Sequence, residues 1–367
     1  MTSEEYLHTA FLLAKRANSR DIRPNPFVGA IIVDQNDEII GEGYHQKAGE
    51  AHAEVIAINN ALLRTSDLSE CTLYVTLEPC SHTGKTPPCT NLILEHKIPK
   101  VVIGSMDPNP LVSGAEILSD SGVNIEICIL HEIVELNNTF NINQLNKRPK
   151  YILKAATTLN GKIADRFGNS KWISNEKSRA YVHQILRSNA DAILTTAKTV
   201  IKDNASMNVR ISASEPRELN IIIIDNHLDI LKEENKSLGI FYQRNNTKIY
   251  LVSNKKYPYS LPENIEIINV DINNDEFDLV QLSDILLSKN MCEVLIEAGG
   301  KLNASIIKQK LIDEINLFIC PSIIIDNDGI SIFSSTEFQE IEKSIQLSLL
   351  DTKQFDSNIL LKYKVLN

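Results

Sequence analysis

Short apolar runs closed by polar turns alternate with stretches of helical period from one end of this chain to the other, the pattern of an α/β protein. Residues 27–33 read as a strand, 34–37 as a turn rich in Asp and Asn, and 38–43 as the return strand of a hairpin. Residues 52–63 have helical spacing, while 72–77, 101–104 and 124–129 read as further strands. At the start, residues 1–18 read as an amphipathic helix with Tyr6, Ala10, Leu13 and Ala17 on one face. A polar, proline-ended stretch at 145–149 precedes a fresh strand at 151–155, which predicts domains at 1–146 and 147–367. Further on, 293–298 is a buried strand that ends in Gly299-Gly300, and a helix begins at Lys301. Residues 227–246 and 254–278, rich in Asn, Lys and Glu, read as surface connections.

Charge divides along the same boundary. Residues 1–146 carry 9 Lys and Arg against 19 Asp and Glu, net −10, and residues 147–367 carry 28 against 28. An acidic first half argues against nucleic acid as a partner, because that affinity comes largely from Lys and Arg at phosphates. No apolar stretch reaches 18 residues and the first helix has no secretory apolar core, so no membrane partner is expected. Six cysteines make no disulfide framework, which points to a reducing compartment, the cytoplasm; a homo-oligomer is compatible with all of this.

The chemistry concentrates in His52-Ala-Glu54, Pro79-Cys80 and Cys89. One imidazole and two thiolates give zinc three protein ligands and leave its fourth position open for water. Glu54, two residues after the histidine, is placed to take the water's proton and pass it to a departing amine. A structural zinc site would need a fourth ligand, for which His82 is the local candidate. Eight residues separate the two cysteines, where zinc deaminases commonly have two. The second half has no Cys/His cluster. Its suggestive feature is the glycine turn at 299–300, where a new helix offers free amides to a phosphate; the same turn also serves with no ligand at all.

The loop Thr76-Leu-Glu-Pro-Cys-Ser-His-Thr-Gly-Lys-Thr-Pro-Pro-Cys89 closely resembles the zinc loop of the bifunctional deaminase/reductase family of riboflavin biosynthesis. Gly41-Glu-Gly-Tyr-His-Gln-Lys-Ala-Gly-Glu50 and Asp107-Pro-Asn-Pro-Leu-Val112 resemble the same family in the same order. The resemblance implies an N-terminal three-layer α/β/α cytidine-deaminase-like domain and a C-terminal α/β dihydrofolate-reductase-like domain. It implies zinc on His52, Cys80 and Cys89, with Glu54 catalytic and Asn25, His45, His82, Lys85, Asp107 and Asn109 around the substrate. In the second half it implies NADPH along Ala156, Trp172, Ser174, Thr199, Asp203, Asn226 and the turn Gly299, Gly300, Lys301, Leu302, Asn303, Ala304 and Ser305. Lys154, Ser170, Arg187, Met207, Arg210 and Glu297 would line a small phosphorylated pyrimidine, whose ribose phosphate suits the lysine and two arginines.

By the same resemblance, 2,5-diamino-6-ribosylamino-4(3H)-pyrimidinone 5′-phosphate is deaminated and its ribosyl group then reduced to ribityl. The chain departs from the pattern at Arg23, at Ala115-Glu116, at Asn160, which is expected to keep a left-handed turn, and at Asn204-Ala205. One extra residue also falls between Trp172 and Arg187. Two rivals follow: a nucleobase or tRNA deaminase, which would bind RNA in a salt-sensitive way, and a deaminase whose second half is only structural, which would not bind NADPH.

Overall fold

The structure is a computed structural model that describes residues 1–81, 87–210, 218–241, 247–335 and 340–366. The chain divides into two compact units, Met1–Lys147 and Arg148–Asn367.

In the first unit, α1 (Ser3–Ala14) opens with a capping box between Thr2 and Glu5. A short α2 (Ser19–Ile22) precedes the hairpin β1 (Gly29–Val33) and β2 (Ile39–Tyr44). Then come α3 (Ala53–Leu62), β3 (Thr72–Val75), α4 (Cys89–Glu95), β4 (Lys100–Ile103), α5 (Gly114–Asp120), β5 (Asn124–Ile127), α6 (His131–Leu136) and α7 (Asn138–Asn146). The five strands order as β2-β1-β3-β4-β5; the first two pairings are antiparallel and β3 to β5 run parallel.

Alternating side chains bury both faces of this sheet, making three layers. Tyr6, Leu7, Ala10 and Leu13 of α1 pack on Ile31, Val33, Tyr74 and Val102. Ala57, Ile58 and Ala61 of α3, with Ile93 and Leu118, cover Ile32, Leu73, Val75, Val101 and Ile103 on the other face. Gly43 permits the close seating of α3, since a Cβ there would lie 2.4 Å from the Ala53 carbonyl oxygen. That seating fixes where α3 begins.

The second unit runs β6 (Lys150–Thr158), β7 (Lys162–Ala164), α8 (Glu176–Tyr181), a π-helical turn (Val182–Arg187), β8 (Ala192–Thr196) and α9 (Ala197–Asp203). Beyond these lie β9 (Asn220–Ile224), β10 (Ile249–Ser253), β11 (Ile265–Asn269), β12 (Ile272–Asn273), β13 (Glu276–Phe277), α10 (Leu279–Ser288) and β14 (Glu293–Ile296). The last elements are α11 (Gly300–Lys308), β15 (Ile312–Cys320), β16 (Ile330–Ser331), β17 (Gln346–Phe355) and β18 (Asn358–Leu366). Nine strands order as β11-β10-β9-β8-β14-β6-β15-β18-β17, parallel as far as β15 and closed by an antiparallel hairpin.

The structure corrects the reading of 227–246 and 254–278 as surface connections. Leu228, Ile230, Leu238 and Ile240 sit in the core beside Ile221, Ile223 and Leu251. Ile265–Asn269 is a strand on the sheet edge. Isolated apolar residues on 3₁₀ turns have no period to read, and a strand exposed on one side is polar enough to pass for a loop. Among the described residues no helix is long and apolar enough to cross a membrane.

Candidate active site

Three short elements bring the first unit's chemistry together. His52 is the N-cap residue of α3, which places Glu54 in its first turn and buries it at 3% exposure. Cys80 follows β3 by five residues, and Cys89 opens α4. The His52 Nδ1 lies 3.5 Å from the Cys80 Sγ and 3.3 Å from the Cys89 Sγ, with all three donor atoms within 4.8 Å of one another. Zinc bonds of about 2.3 Å to sulfur and 2.0–2.1 Å to nitrogen, set at a tetrahedral angle, separate N and S by about 3.6 Å. The donor set therefore fits one zinc. Glu54 is not a member of it.

The electrostatics agree with that division of labour. The hydrogen bond with Cys89 draws the Cys80 thiol down to about 4 against the effect of burial, while the same contact and burial push Cys89 up. Burial pushes the Glu54 carboxyl above its ordinary value, with His52 opposing. The Cys89 amide donates to the Cys80 sulfur at 3.2 Å, as the start of a helix does for an anion.

A cavity of about 410 Å³ opens over these residues. Its lining includes Asn25, His45, His52, Glu54, Cys80, Asp107 and Asn109. His45 is 3% exposed, and burial lowers its pKa, so the ring is neutral near pH 7. Its Nδ1 donates to the Ala51 carbonyl at 3.1 Å, which leaves Nε2 to accept from the Asn25 amide at 3.0 Å. The Asn25 amide is thereby oriented, and among the described residues no donor meets its oxygen, which can accept a ligand N–H. The Asp107 carboxylate accepts the Asn109 amide at 2.8 Å and braces that turn. His82 and Lys85 lie outside the described residues.

Glu78, Phe140 and Gln144 are among the lining residues that sequence reasoning did not single out. The Glu78 carboxylate accepts the backbone amides of Asp107 at 3.3 Å and Ala115 at 3.0 Å, tying the loop after β4 to the zinc segment. Gly114 completes that joint, because a Cβ there would sit 1.8 Å from the Pro79 carbonyl oxygen. Gly114→Ala should push Pro79-Cys80 outward, cost about 1–3 kcal/mol and lower the zinc retained after gel filtration, read by elemental analysis. Full zinc occupancy in that variant would contradict the coupling.

In the second unit the structure gathers four of the six expected substrate residues. Arg187 grips Glu297 with two parallel hydrogen bonds, Nε to Oε1 at 2.6 Å and Nη2 to Oε2 at 2.9 Å. Its Nη1 donates to the Asn208 carbonyl at 2.8 Å, and Lys154 stands 3.8 Å from Glu297. Burial raises the Glu297 pKa, but Arg187 and Lys154 outweigh it and hold the carboxyl at about 2. Arg210 meets His183, a residue the sequence did not single out. Met207 is 5% exposed and packed in the core, and Ser170 is half-buried before α8. The extra residue before Arg187 falls where Val182–Arg187 winds as a π-helical turn, whose wider circuit takes up one residue.

The expected cofactor residues are spread over several elements of the second unit. Ala156 is near the end of β6, Thr199 and Asp203 are on α9, and Asn226 follows β9. Trp172 is 74% exposed, with the Arg179 guanidinium 4.6 Å from its ring centre, and the Arg179 side chain also donates to the Ser174 carbonyl. Gly299 caps α11, where the first free amides of the helix are available, while Leu302, Asn303 and Ala304 turn inward. Lys301 is exposed, and the Ser305 hydroxyl donates to Glu276 at 2.9 Å. Both departures here have structural roles. Asn204 takes the left-handed end of α9 and accepts the Gly239 amide at 2.7 Å. The left-handed turn expected at Asn160 falls on Gly161 instead; Asn160 spends its amide on the backbone C=O and N–H of Ile324, at 2.8 and 3.3 Å.

Comparison with known proteins agrees with both halves. The cytidine and deoxycytidylate deaminase zinc-binding region matches residues 1–105, and the RibD C-terminal domain matches residues 149–361. A riboflavin biosynthesis protein RibD from Actinobacillus pleuropneumoniae is 35% identical over 374 residues, covering 100% of this chain and 96% of its own. The one from Aquifex aeolicus is 33% identical, covering 98% of each. A crystal structure of a diaminohydroxyphosphoribosylaminopyrimidine deaminase/5-amino-6-(5-phosphoribosylamino)uracil reductase from Thermotoga maritima superposes with a TM-score of 0.84 at 32% identity, covering 99% of both chains. Acinetobacter baumannii RibD does so at 0.80 and 30%, covering 100% of this chain and 99% of that one.

Proposed function

The chain belongs to the RibD family of bifunctional riboflavin-biosynthesis enzymes, and from that premise we propose how its residues divide two consecutive reactions. The substrate is 2,5-diamino-6-ribosylamino-4(3H)-pyrimidinone 5′-phosphate; the first unit, Met1–Lys147, removes its 2-amino group, and Arg148–Asn367 reduces the ribosyl group to ribityl. The carrying observation is the zinc-spaced triad of His52, Cys80 and Cys89 beside a buried, non-ligand glutamate in an open cavity.

Those three side chains would hold zinc, which would supply an activated water at neutral pH. Glu54 takes the proton released there and hands it to the departing amine; its burial raises its basicity for that exchange. Asn25, oriented by His45, presents its oxygen to a ring N–H, and Asp107 and Asn109 also line the cavity. His82 and Lys85 complete the set on the resemblance alone. In the second unit NADPH supplies the hydride. Glu297 fixes Arg187 and Lys154 at the sugar, and the start of α11 receives a cofactor phosphate. Of the remaining expected cofactor residues, Ala156 near the end of β6 and Asn226 after β9 lie at strand ends, where α/β proteins bind nucleotides.

The six cysteines form no disulfide with one another, which supports a cytoplasmic setting. The acidic first half supports a small substrate over nucleic acid, and a homo-oligomer is compatible with this reading. The purified protein given the diaminopyrimidine phosphate should release ammonia without NADPH, and should oxidise NADPH only after that release. NADPH oxidation with no prior ammonia release would overturn the order.

A further inference from the structure

We infer that His183 is a phosphate-binding residue of the second unit, its Nε2–H and the Arg210 guanidinium together holding an oxygen of the substrate's phosphate. The inference rests on the proposed reading of Lys154, Arg187, Arg210 and Glu297 as the substrate site.

His183 lies on the π-helical turn, four residues before Arg187, and is only 8% exposed. Two N–H groups of one residue point at its two ring nitrogens. The Arg210 backbone amide is 3.1 Å from Nδ1, and the Arg210 Nη2 is 3.2 Å from Nε2. A neutral imidazole can accept at only one nitrogen. Burial, then the charges of Arg187 and Arg210, lower the His183 pKa to about 4, so the ring is neutral at pH 7. The backbone amide is fixed in place, so Nδ1 is the acceptor and the ring proton resides on Nε2. Among the described residues, no acceptor then stands between Nε2–H of the buried His183 and Nη2–H of Arg210. A buried donor left unmade is costly, and one anionic oxygen accepting from both removes the mismatch.

The charges around the ring favour the same occupant. Lys154 and Arg187 face one carboxylate, Glu297, and Arg210 stands on the other contact of His183, so the charges around the ring come to two positive in excess. A phosphate monoester carries about −1.5 to −2 at neutral pH. Glu297 and the Asn208 carbonyl already take three of the five N–H groups of Arg187, one each from Nε, Nη1 and Nη2. Among the described residues, His183 and Arg210 are the members of the cluster whose donors still face each other.

The test uses the full chain with His183→Asn and His183→Gln. Asn keeps an acceptor near Nδ1 and lacks the distal donor; Gln carries an amide N–H toward the Nε2 position. NADPH oxidation is followed with the deaminated substrate and with its dephosphorylated analogue. His183→Asn should raise KM for the phosphorylated substrate about tenfold to a hundredfold, the worth of a hydrogen bond to a charged group, with kcat and the analogue's KM little changed. His183→Gln should restore most of the loss. An equal rise for both substrates, or no rise, overturns the assignment. Calorimetric titration with ribose 5-phosphate against ribose reads the same site without turnover: binding of the phosphate that survives His183→Asn also overturns it. A wild-type chain that oxidises no NADPH would sink the reductase reading, while that titration would still decide the role of His183.

Discussion

Glu54→Gln should abolish ammonia release, by at least about 10²–10⁴-fold, while the protein keeps one zinc per chain. The side chain is replaced by one of equal size, so the cavity and the seating of α3 are preserved. Zinc stays because His52, Cys80 and Cys89 form a complete protein donor set without Glu54. The proton path is lost, because an amide cannot accept a proton from water and return it to an amine. Given the deaminated substrate and NADPH, the variant should reduce it at the wild-type rate. Ammonia release and bound zinc, measured on the same preparation, decide the point; a variant that loses zinc would make Glu54 part of the metal's support rather than its proton shuttle.

The first half's chemistry is legible in the chain because each functional side chain sits at the end of an element. His52 precedes α3, Cys80 follows β3 and Cys89 starts α4. Residue types and short spacings therefore carry the site before any packing is known. Glu78 is different. Its two acceptor contacts are with backbone amides 29 and 37 residues away, and a backbone amide has no sequence signature. Phe140 and Gln144 reach the cavity only because α7 packs beside it. His183 is a single histidine in a helix-like stretch, and its meaning comes from Arg210, 27 residues on. Strand ends shift for local reasons too. Thr76 leaves the β3 ladder to exchange hydrogen bonds with Gly29, at 3.0 Å each, which starts the turn toward Cys80.

Glu297→Ala should unfold the second unit more readily by about 3–5 kcal/mol, the cost of breaking a buried ion pair from one side. Glu297 and Arg187 are 11% and 12% exposed, and removal leaves Arg187 and Lys154 charged with no carboxylate between them. NADPH oxidation should be lost, while ammonia release, which needs none of these residues, continues. Trp172, the single tryptophan, lies in this unit and reports its urea midpoint. Acid offers an independent check. The Glu297 pKa is held at about 2 against an ordinary 4.5, so its contribution is fully present above pH 4.5 and disappears as pH falls through 2. Over that window wild type should lose about 3 kcal/mol more than Glu297→Gln, whose amide does not titrate. Parallel pH profiles for the two proteins would show that Arg187 and Lys154 do not depend on this carboxylate, and the ion cluster would lose its role in placing the sugar.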